Sequence, residues 1–140
     1  MDHVYEHRVQ YYETDSMRIV HHSNYIRWFE EARLSGLEED GFGYDEMERR
    51  GILIPALSVS CEYKTAVTFG ETVKIFYHVE SFNGLRFTIS YRIVSSDEKI
   101  LHATGTSGHC FLDTSMRPVN IKKKAPDIYR YMMEDAEQNP

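Results

Sequence analysis

A short polar loop followed by a helix start is the part of the sequence best suited to chemistry. The loop carries one carboxylate, Asp15, and a helix is predicted from residue 24 to about 40, just after the pair His21-His22. A carboxylate can attack a carbonyl carbon or activate a water molecule. The unpaired N–H groups of a first helical turn, with the positive end of the helix dipole, can stabilise an oxyanion. Together, the carboxylate and the helix start predict hydrolysis of a carbonyl ester. Among the enzymes that do this, we favour a thioesterase.

The two adjacent histidines are weak candidates for a metal site. Neighbouring residues do not share a helix face, no third ligand follows at ligand spacing, and HExxH is absent. We therefore predict no metal. His22 is expected to line a pocket and orient the substrate or Asp15, although a histidine at a helix entry also commonly packs on the core.

Each further residue near the loop has a binding role and a structural role to weigh. Ser23 or Asn24 is expected to cap the helix, and Asn24 has a second possible role as a hydrogen-bond partner of Asp15 and the acyl carbonyl. Tyr25 lies on the apolar stripe of the helix, so it either packs in the core or shapes an acyl pocket. Lys64 could bind a phosphate or be a solvated charge, and the same choice applies to Arg86, Arg92, Arg117 and residues 122–124.

Length and charge narrow the class of protein. The 140 residues predict one domain, residues 1–140, and the net charge of −6 disfavours nucleic-acid binding. No run of about 18 apolar residues predicts a membrane span, and no secretory signal pattern is visible. Cys61 and Cys110 do not form a disulfide or zinc pattern, so we expect a cytoplasmic protein.

The remaining elements follow from hydrophobic periodicity. A first strand is predicted over residues 4–12 and a short helix over 44–50. Period-two alternation predicts four more strands, and a last helix runs from 126 to about 137. The four strands cover residues 57–64, 73–80, 87–93 and 100–113. This order favours an α+β fold with one sheet around one long helix, whose uncovered sheet edges predict an oligomer.

With these residues in hand, the chain resembles the hotdog-fold thioesterases of the 4-hydroxybenzoyl-CoA thioesterase family over about residues 4–126. The most specific match runs from Thr14-Asp15 through His22-Ser23-Asn24-Tyr25 into Trp28-Phe29-Glu30-Glu31-Ala32-Arg33. Weaker matches are Glu62-Tyr63-Lys64, Phe69-Gly70-Glu71, and Cys110-Phe111-Leu112-Asp113 before Arg117-Pro118.

The resemblance implies a fold, an activity and site roles. It implies an antiparallel sheet wrapped around the long helix, a continuous sheet in the dimer, active sites at the dimer interface, and a homodimer or homotetramer. The substrate would be an acyl-CoA, with no cofactor because coenzyme A is part of the substrate. Asp15 would be the catalytic carboxylate, and the backbone amides of His22 and Ser23 would polarise the thioester carbonyl.

One position departs from the family pattern. Many members have Gly where this chain has Arg18, and a Gly there allows positive φ or close substrate approach. Arg18 could instead pair with Asp15 or reach a phosphate of the substrate.

Three other functions remain open at this level. A thioesterase acting on acyl-carrier protein would need a basic rim around its pocket to receive that acidic partner. A hydratase or dehydratase would use His22 as base with Glu30 as acid. A non-catalytic acyl-CoA-binding protein would bind the thioester without cleaving it.

Overall fold

The computed structural model describes residues 3–138, which form one five-stranded sheet and four helices. The strands are β1 (His3–Arg8), β2 (Ala56–Tyr63), β3 (Thr72–Phe82), β4 (Arg86–Ser95) and β5 (Leu101–Cys110). The helices are α1 (Ser23–Glu39), α2 (Tyr44–Arg49), α3 (Ile121–Lys124) and α4 (Pro126–Gln138), and a 3₁₀ turn covers Tyr11–Glu13. The predicted α+β class is confirmed.

The sheet is antiparallel throughout, in the order β1-β3-β4-β5-β2. Strands β3, β4 and β5 follow one another directly, and the predicted turn at Asn83-Gly84 joins the first two. Gly84 has φ 93°, and Asn83 Oδ1 accepts the N–H groups of Leu85 and Arg86. Strands β1 and β2 are therefore the two edges.

Helix α1 packs its apolar stripe against the sheet. Trp28, Phe29 and Ala32 are fully buried, as the 3–4 residue spacing predicts. The helix approaches β5 so closely that a Cβ at Gly105 would lie 2.5 Å from the Phe29 ring. A glycine is required there because a side chain would push the helix off the sheet.

The end of β1, before the polar loop, differs from the prediction. Strand β1 ends at Arg8 instead of residue 12, and Tyr11 and Tyr12 lie 77% and 82% exposed in the 3₁₀ turn. The chain turns because Glu13 N–H donates to the Gln10 carbonyl at 3.0 Å, while the Glu13 carboxylate accepts the Gln10 N–H. Alternation alone could not reveal this side-chain contact.

The predicted helix cap is wrong. Helix α1 begins at Ser23, its N-cap residue is His22, and His22 makes no capping hydrogen bond through its side chain. The Ser23 hydroxyl lies 2.9 Å from His21 Nδ1, and the Asn24 side chain donates to the Glu13 carbonyl. Both expected caps are therefore engaged elsewhere, and the Ser23 N–H donates to His21 Nδ1 instead.

The C-terminal part of the chain contains one helix that the sequence pattern did not predict. Residues 122–124 lie in α3, which is capped by Asn120 Oδ1 accepting the Lys122 N–H at 3.1 Å. Helix α4 then packs on β3 and buries Ile128 and Met132. None of the helices within residues 3–138 is long and apolar enough to cross a membrane.

Strand β2 is an edge strand whose apolar side chains stay exposed. Leu57 is 52% exposed, Val59 46% and Tyr63 48%. The alternation predicted the strand correctly, but α1 does not extend far enough across the sheet to cover it. An exposed apolar edge of this kind is a surface on which a further strand can pair.

Candidate active site

Four of the residues predicted for the site line one open groove of about 240 Å³. Asp15, His22, Tyr25 and Lys64 meet there, brought together from the polar loop, the start of α1 and the end of β2. The lining is completed by Ile19, Val20, Tyr63, Thr65 and Ala66. Residues almost 50 positions apart in the sequence therefore share one surface.

Asp15 sits in a tight hairpin turn that fixes its backbone. Its N–H donates to the Ile19 carbonyl at 2.9 Å, and its own carbonyl accepts the Arg18 N–H at 3.0 Å. Asp15 Oδ1 accepts the Met17 N–H at 2.8 Å. The other carboxylate oxygen accepts no hydrogen bond from any residue between 3 and 138, so it is available to a water molecule or an acyl carbon.

Arg18 occupies the position of this turn that requires a left-handed backbone. Its φ is 66°, which explains why a Gly suits this position. Its side chain lines a neighbouring groove of about 470 Å³ with Tyr11, Thr14, Met17, Thr68 and Phe69. Within residues 3–138 it forms no ion pair with Asp15. Contact with a phosphate therefore remains a prediction.

Most backbone N–H groups at the start of α1 already have hydrogen-bond partners within residues 3–138. The Asn24 N–H donates to the His21 carbonyl at 3.0 Å, and the Ser23 N–H to His21 Nδ1 at 3.2 Å. The His22 N–H has no hydrogen-bond partner in the described part of the chain. This free N–H, beside the long Ser23 bond, is the donor that an oxyanion would require.

Asn24 lies behind the groove and does not line it. It is buried, its Nδ2 donates to the Glu13 carbonyl at 2.8 Å, and its Oδ1 accepts from Arg27 at 3.2 Å. Nδ2 thus holds the loop to the helix, while Oδ1 is used within α1. The binding role expected for Asn24 remains a prediction, while its contacts are structural.

Tyr25 combines the two roles considered for it. It is buried, with its ring 5.3 Å from that of Trp28 and 5.1 Å from that of Tyr63, yet it also lines the groove. Burial raises the pKa of Tyr25, so its hydroxyl is neutral at physiological pH. Lys64 is exposed and pairs with Glu62 at 3.0 Å.

Tyr63 belongs to the site although sequence reasoning did not select it. Its hydroxyl donates to the His22 carbonyl at 3.2 Å, and its ring meets that of His22 edge-on at 6.2 Å. It therefore connects the end of β2 to the helix start. The sequence signal for Tyr63 was its place in Glu62-Tyr63-Lys64, one of the weaker family matches.

Glu13 was also missed, and no sequence pattern distinguishes it from an ordinary loop residue. Its carboxylate is 4% exposed and faces His7, Gln10 and Trp28. Burial acts to raise the pKa of Glu13, but hydrogen bonds from these groups outweigh it and the net pKa is lowered. A buried ionised carboxylate thus lies two residues before Asp15.

The two histidines at the helix entry are exposed, so neither packs in the core. Their rings lie 4.2 Å apart, and His21 Nδ1 accepts from Ser23. Across residues 3–138, no three His, Cys, Asp or Glu side chains form a group that could hold a metal ion.

Comparison with known proteins places this chain in a family. Residues 9–130 match the model of the thioesterase-like superfamily. A Bacillus subtilis protein provisionally named acyl-CoA thioesterase YneP is 35% identical over 120 residues, which cover 85% of this chain and 86% of that protein.

Two solved structures agree in fold and in sequence. The DHNA-CoA thioesterase of Staphylococcus aureus superposes with a TM-score of 0.89 at 31% identity, covering 99% of this chain and 93% of that one. A hypothetical protein of Aquifex aeolicus superposes at 0.82 with 36% identity, covering 89% and 97%. The expected hotdog fold is confirmed, and the chain belongs to the thioesterase-like superfamily.

Proposed function

We propose that this protein is an acyl-CoA thioesterase in which Asp15 is the catalytic carboxylate. The observation that carries this proposal is the meeting of a half-buried carboxylate and a free helix-start amide in one groove. The similarity to the Staphylococcus aureus DHNA-CoA thioesterase supports a coenzyme A thioester as substrate. The reaction needs no cofactor, because coenzyme A enters and leaves as part of the substrate.

In the proposed reaction, backbone N–H donors and the Asp15 carboxylate both act on the thioester carbonyl in the groove. The thioester oxygen points to the His22 N–H, with the Ser23 N–H as a second donor, and the negative charge that develops there is stabilised by the helix dipole. Asp15 takes a proton from water while the water oxygen bonds to the carbonyl carbon. The C–S bond then breaks, and coenzyme A leaves as a thiol after taking up that proton.

A nucleophilic route uses the same groups. Asp15 would attack the carbonyl carbon, expel coenzyme A and form a mixed anhydride, which water would then hydrolyse to the free acid. The acyl chain would lie along Tyr25 and Tyr63 in either route. Lys64 and Arg18, which flank the loop in its two grooves, would receive phosphates of coenzyme A.

The alternatives find less support in the site. Glu30 is exposed on α1 and is absent from the groove lining, so it is poorly placed to act with His22 in a hydratase. A carrier-protein substrate would favour unpaired cations at the rim, whereas Lys64 is paired with Glu62. A non-catalytic binder is the remaining alternative, and the mutant test below separates it.

We further propose that two copies pair through β2. The strand exposes Leu57, Val59 and Tyr63 at the sheet edge, and Tyr63 is also a groove residue. Antiparallel pairing of the two edges would produce a continuous ten-stranded sheet and cover this apolar surface. The proposed assembly is this homodimer or a homotetramer built from it. The proposed location is the cytoplasm, with Cys61 and Cys110 reduced.

Replacement of Asp15 tests the assignment, and the chain contains its own control. Asp113 heads a turn of the same design: its N–H donates to the Arg117 carbonyl, its Oδ1 accepts the Ser115 N–H, and Met116 has φ 63°. Asp113 follows β5 at the end of the sheet opposite Lys64, and it is absent from the groove lining. The pair Asp15→Asn and Asp113→Asn thus makes the same change in two matched turns.

We expect Asp15→Asn to lower kcat by about 100-fold or more, because both routes require its carboxylate. Asp113→Asn should keep wild-type kcat. Hydrolysis would be followed by mass spectrometry on short, long and aromatic acyl-CoAs, with binding measured by calorimetry. Wild-type activity in Asp15→Asn would contradict the mechanism, and acyl-CoA binding without cleavage by the wild type would favour the non-catalytic alternative.

A further inference from the structure

The Glu13 carboxylate joins three elements that surround the active-site loop. Its Oε1 accepts the Gln10 N–H at 2.8 Å and lies 2.8 Å from His7 Nε2. Its Oε2 accepts the Trp28 Nε1–H at 2.7 Å. Strand β1, the 3₁₀ turn and helix α1 are therefore connected through one buried side chain.

The backbone of the same residue connects the two halves of the site. The Glu13 carbonyl accepts the His21 N–H at 2.9 Å and the Asn24 Nδ2–H at 2.8 Å. His21 directly precedes the His22 N–H, and Asp15 follows Glu13 by two residues. Glu13 is thus bonded on one side to the helix start and is continuous on the other with the carboxylate loop.

Removing a carboxylate from water costs free energy. The burial of Glu13 therefore indicates that the positions of the groups it contacts are important. An ionised group with 4% exposure is stable only if its hydrogen bonds replace water, and the lowered pKa of Glu13 shows that they do. His7 extends the cluster, because its Nδ1 lies 3.4 Å from Glu31, which accepts from the Tyr5 hydroxyl at 3.2 Å. The loop is held by charged hydrogen bonds that leave little freedom.

We infer that Glu13 is a positioning residue of thioester hydrolysis, holding Asp15 and the His22 N–H at the separation the reaction requires. This inference rests on the proposed function for its kinetic part. Glu13 does not line the groove and does not touch the substrate. It acts through the two groups it holds, and a misplacement of about 1 Å between reacting groups can cost on the order of 100-fold in rate.

Glu13→Gln changes this cluster in a defined way. The carboxylate presents two acceptors to donors on both of its oxygens, whereas an amide presents one acceptor and one NH₂ group. In one orientation the NH₂ group opposes Trp28 Nε1–H, and in the other it opposes the Gln10 N–H. The side chain keeps its size, but one donor loses its acceptor and the loop must shift.

The experiment compares wild type with Glu13→Gln, with Glu46→Gln as the matched control. Glu46 undergoes the same chemical change on the surface of α2, where its carboxylate pairs with Arg49. We expect Glu13→Gln to lower kcat at least tenfold while KM changes by less than about threefold, because positioning is lost but groove contacts remain. Glu46→Gln should retain wild-type kcat and KM.

A second readout does not depend on activity. Amide hydrogen exchange should become at least about tenfold faster at Met17, His21 and Asn24 in Glu13→Gln, with the amides of β3 and β4 unchanged. His7→Ala, which removes one of the three partners, should show the same pattern to a smaller degree. It also keeps the inference testable if Glu13→Gln does not fold.

Three outcomes would overturn the inference. Wild-type kcat in a folded Glu13→Gln protein is one, and wild-type amide exchange in the loop is another. The third is faster exchange that is uniform over the sheet, which would show a general loss of stability. If the wild type cleaves no acyl-CoA, the proposed function fails, while the exchange data still decide whether Glu13 holds the loop.

Discussion

At the residue scale, two aspartates in the same kind of turn have different surroundings. Asp15 and Asp113 each accept a backbone N–H two residues on, and each turn contains a residue with positive φ. Of the two, only Asp15 lines a groove at the start of α1, where the His22 N–H has no partner among residues 3–138. The carboxylate therefore has a structural role in both turns. The surroundings of Asp15 also make it a candidate for catalysis.

Arg18 and Met116 provide a matched pair for separating backbone strain from substrate contact. Their φ values are 66° and 63°, and a non-glycine residue in this region is strained. Arg18→Gly and Met116→Gly should each relieve that strain, partly offset by the greater freedom of glycine in the unfolded chain. The free energy of unfolding should rise by up to about 1 kcal/mol in both, measured by urea denaturation.

The kinetic effect should separate the two variants. If Arg18 contacts a phosphate of coenzyme A, Arg18→Gly should raise KM about two- to fivefold, as for loss of an exposed ion pair. Met116→Gly should leave KM unchanged. Equal KM values in both variants would show that the Arg18 side chain does not contact the substrate and that only its backbone conformation matters.

At the element scale, α1 meets the sheet through a buried polar contact as well as through its apolar stripe. Arg33 of α1 lies 3.0 Å from Nε2 of His109 on β5, and His109 is fully buried. The Ser107 hydroxyl lies 2.7 Å from the same nitrogen and 2.7 Å from the Tyr91 hydroxyl. Burial, with the positive charge of Arg33, lowers the pKa of His109 from 6.5 to about 4.

This contact predicts a pH dependence of stability. Between pH 6.5 and about 4 the unfolded chain protonates His109 and the folded protein does not, so stability is lost as the pH falls through this window. The slope should be on the order of 1 kcal/mol per pH unit. The groups facing His109 include Arg33, Ser107, the Pro55 backbone and the Phe87 ring stacked on it at 5.0 Å.

Urea denaturation at several pH values checks this slope. His109→Gln removes the titrating group, so the difference between wild type and variant isolates it from others such as His3, whose raised pKa acts in the opposite direction. The difference in unfolding free energy should change between pH 6.5 and 4 and stay constant above 7. A constant difference over the whole range would mean that folding does not shift the pKa of His109.

At the scale of the whole molecule, the two sheet edges are unequal. β1 is the edge beside β3, whereas β2 is the edge that carries Tyr63 into the groove. Val59 on β2 and Val4 on β1 are similarly exposed, at 46% and 53%. They allow the proposed dimer to be tested with the same substitution on each edge.

Val59→Asp should weaken the dimer, because two like charges would meet near the two-fold axis in an otherwise apolar strip. Sedimentation velocity should show the shift toward monomer, with a loss of hydrolysis at low protein concentration. Val4→Asp should change neither. A dimer that survives Val59→Asp, or is lost in Val4→Asp, would place the interface elsewhere.

Much of the architecture followed from the sequence because it depends on local rules. Periodicity located α1, α2, α4 and all five strands, since burial of one helix stripe or one sheet face leaves a regular trace. The Asn83-Gly84 turn followed from backbone sterics, whereas positive φ at Arg18 was one of two alternatives implied by the family resemblance. The end of β1, the start of α1 and helix α3 depended on particular side-chain hydrogen bonds, which periodicity does not record.

The sequence by itself determined the class of the chain, its one long helix against a sheet, and Asp15 as the acid to consider. Only the tertiary structure decided which residues meet: it placed Tyr63 and Lys64 beside Asp15, turned Asn24 inward, and buried Glu13 among three partners. The physical reason is the distance along the chain over which each effect acts. Periodicity and turn chemistry act over a few residues, whereas a site assembled from a loop, a helix end and a strand end depends on how those elements pack.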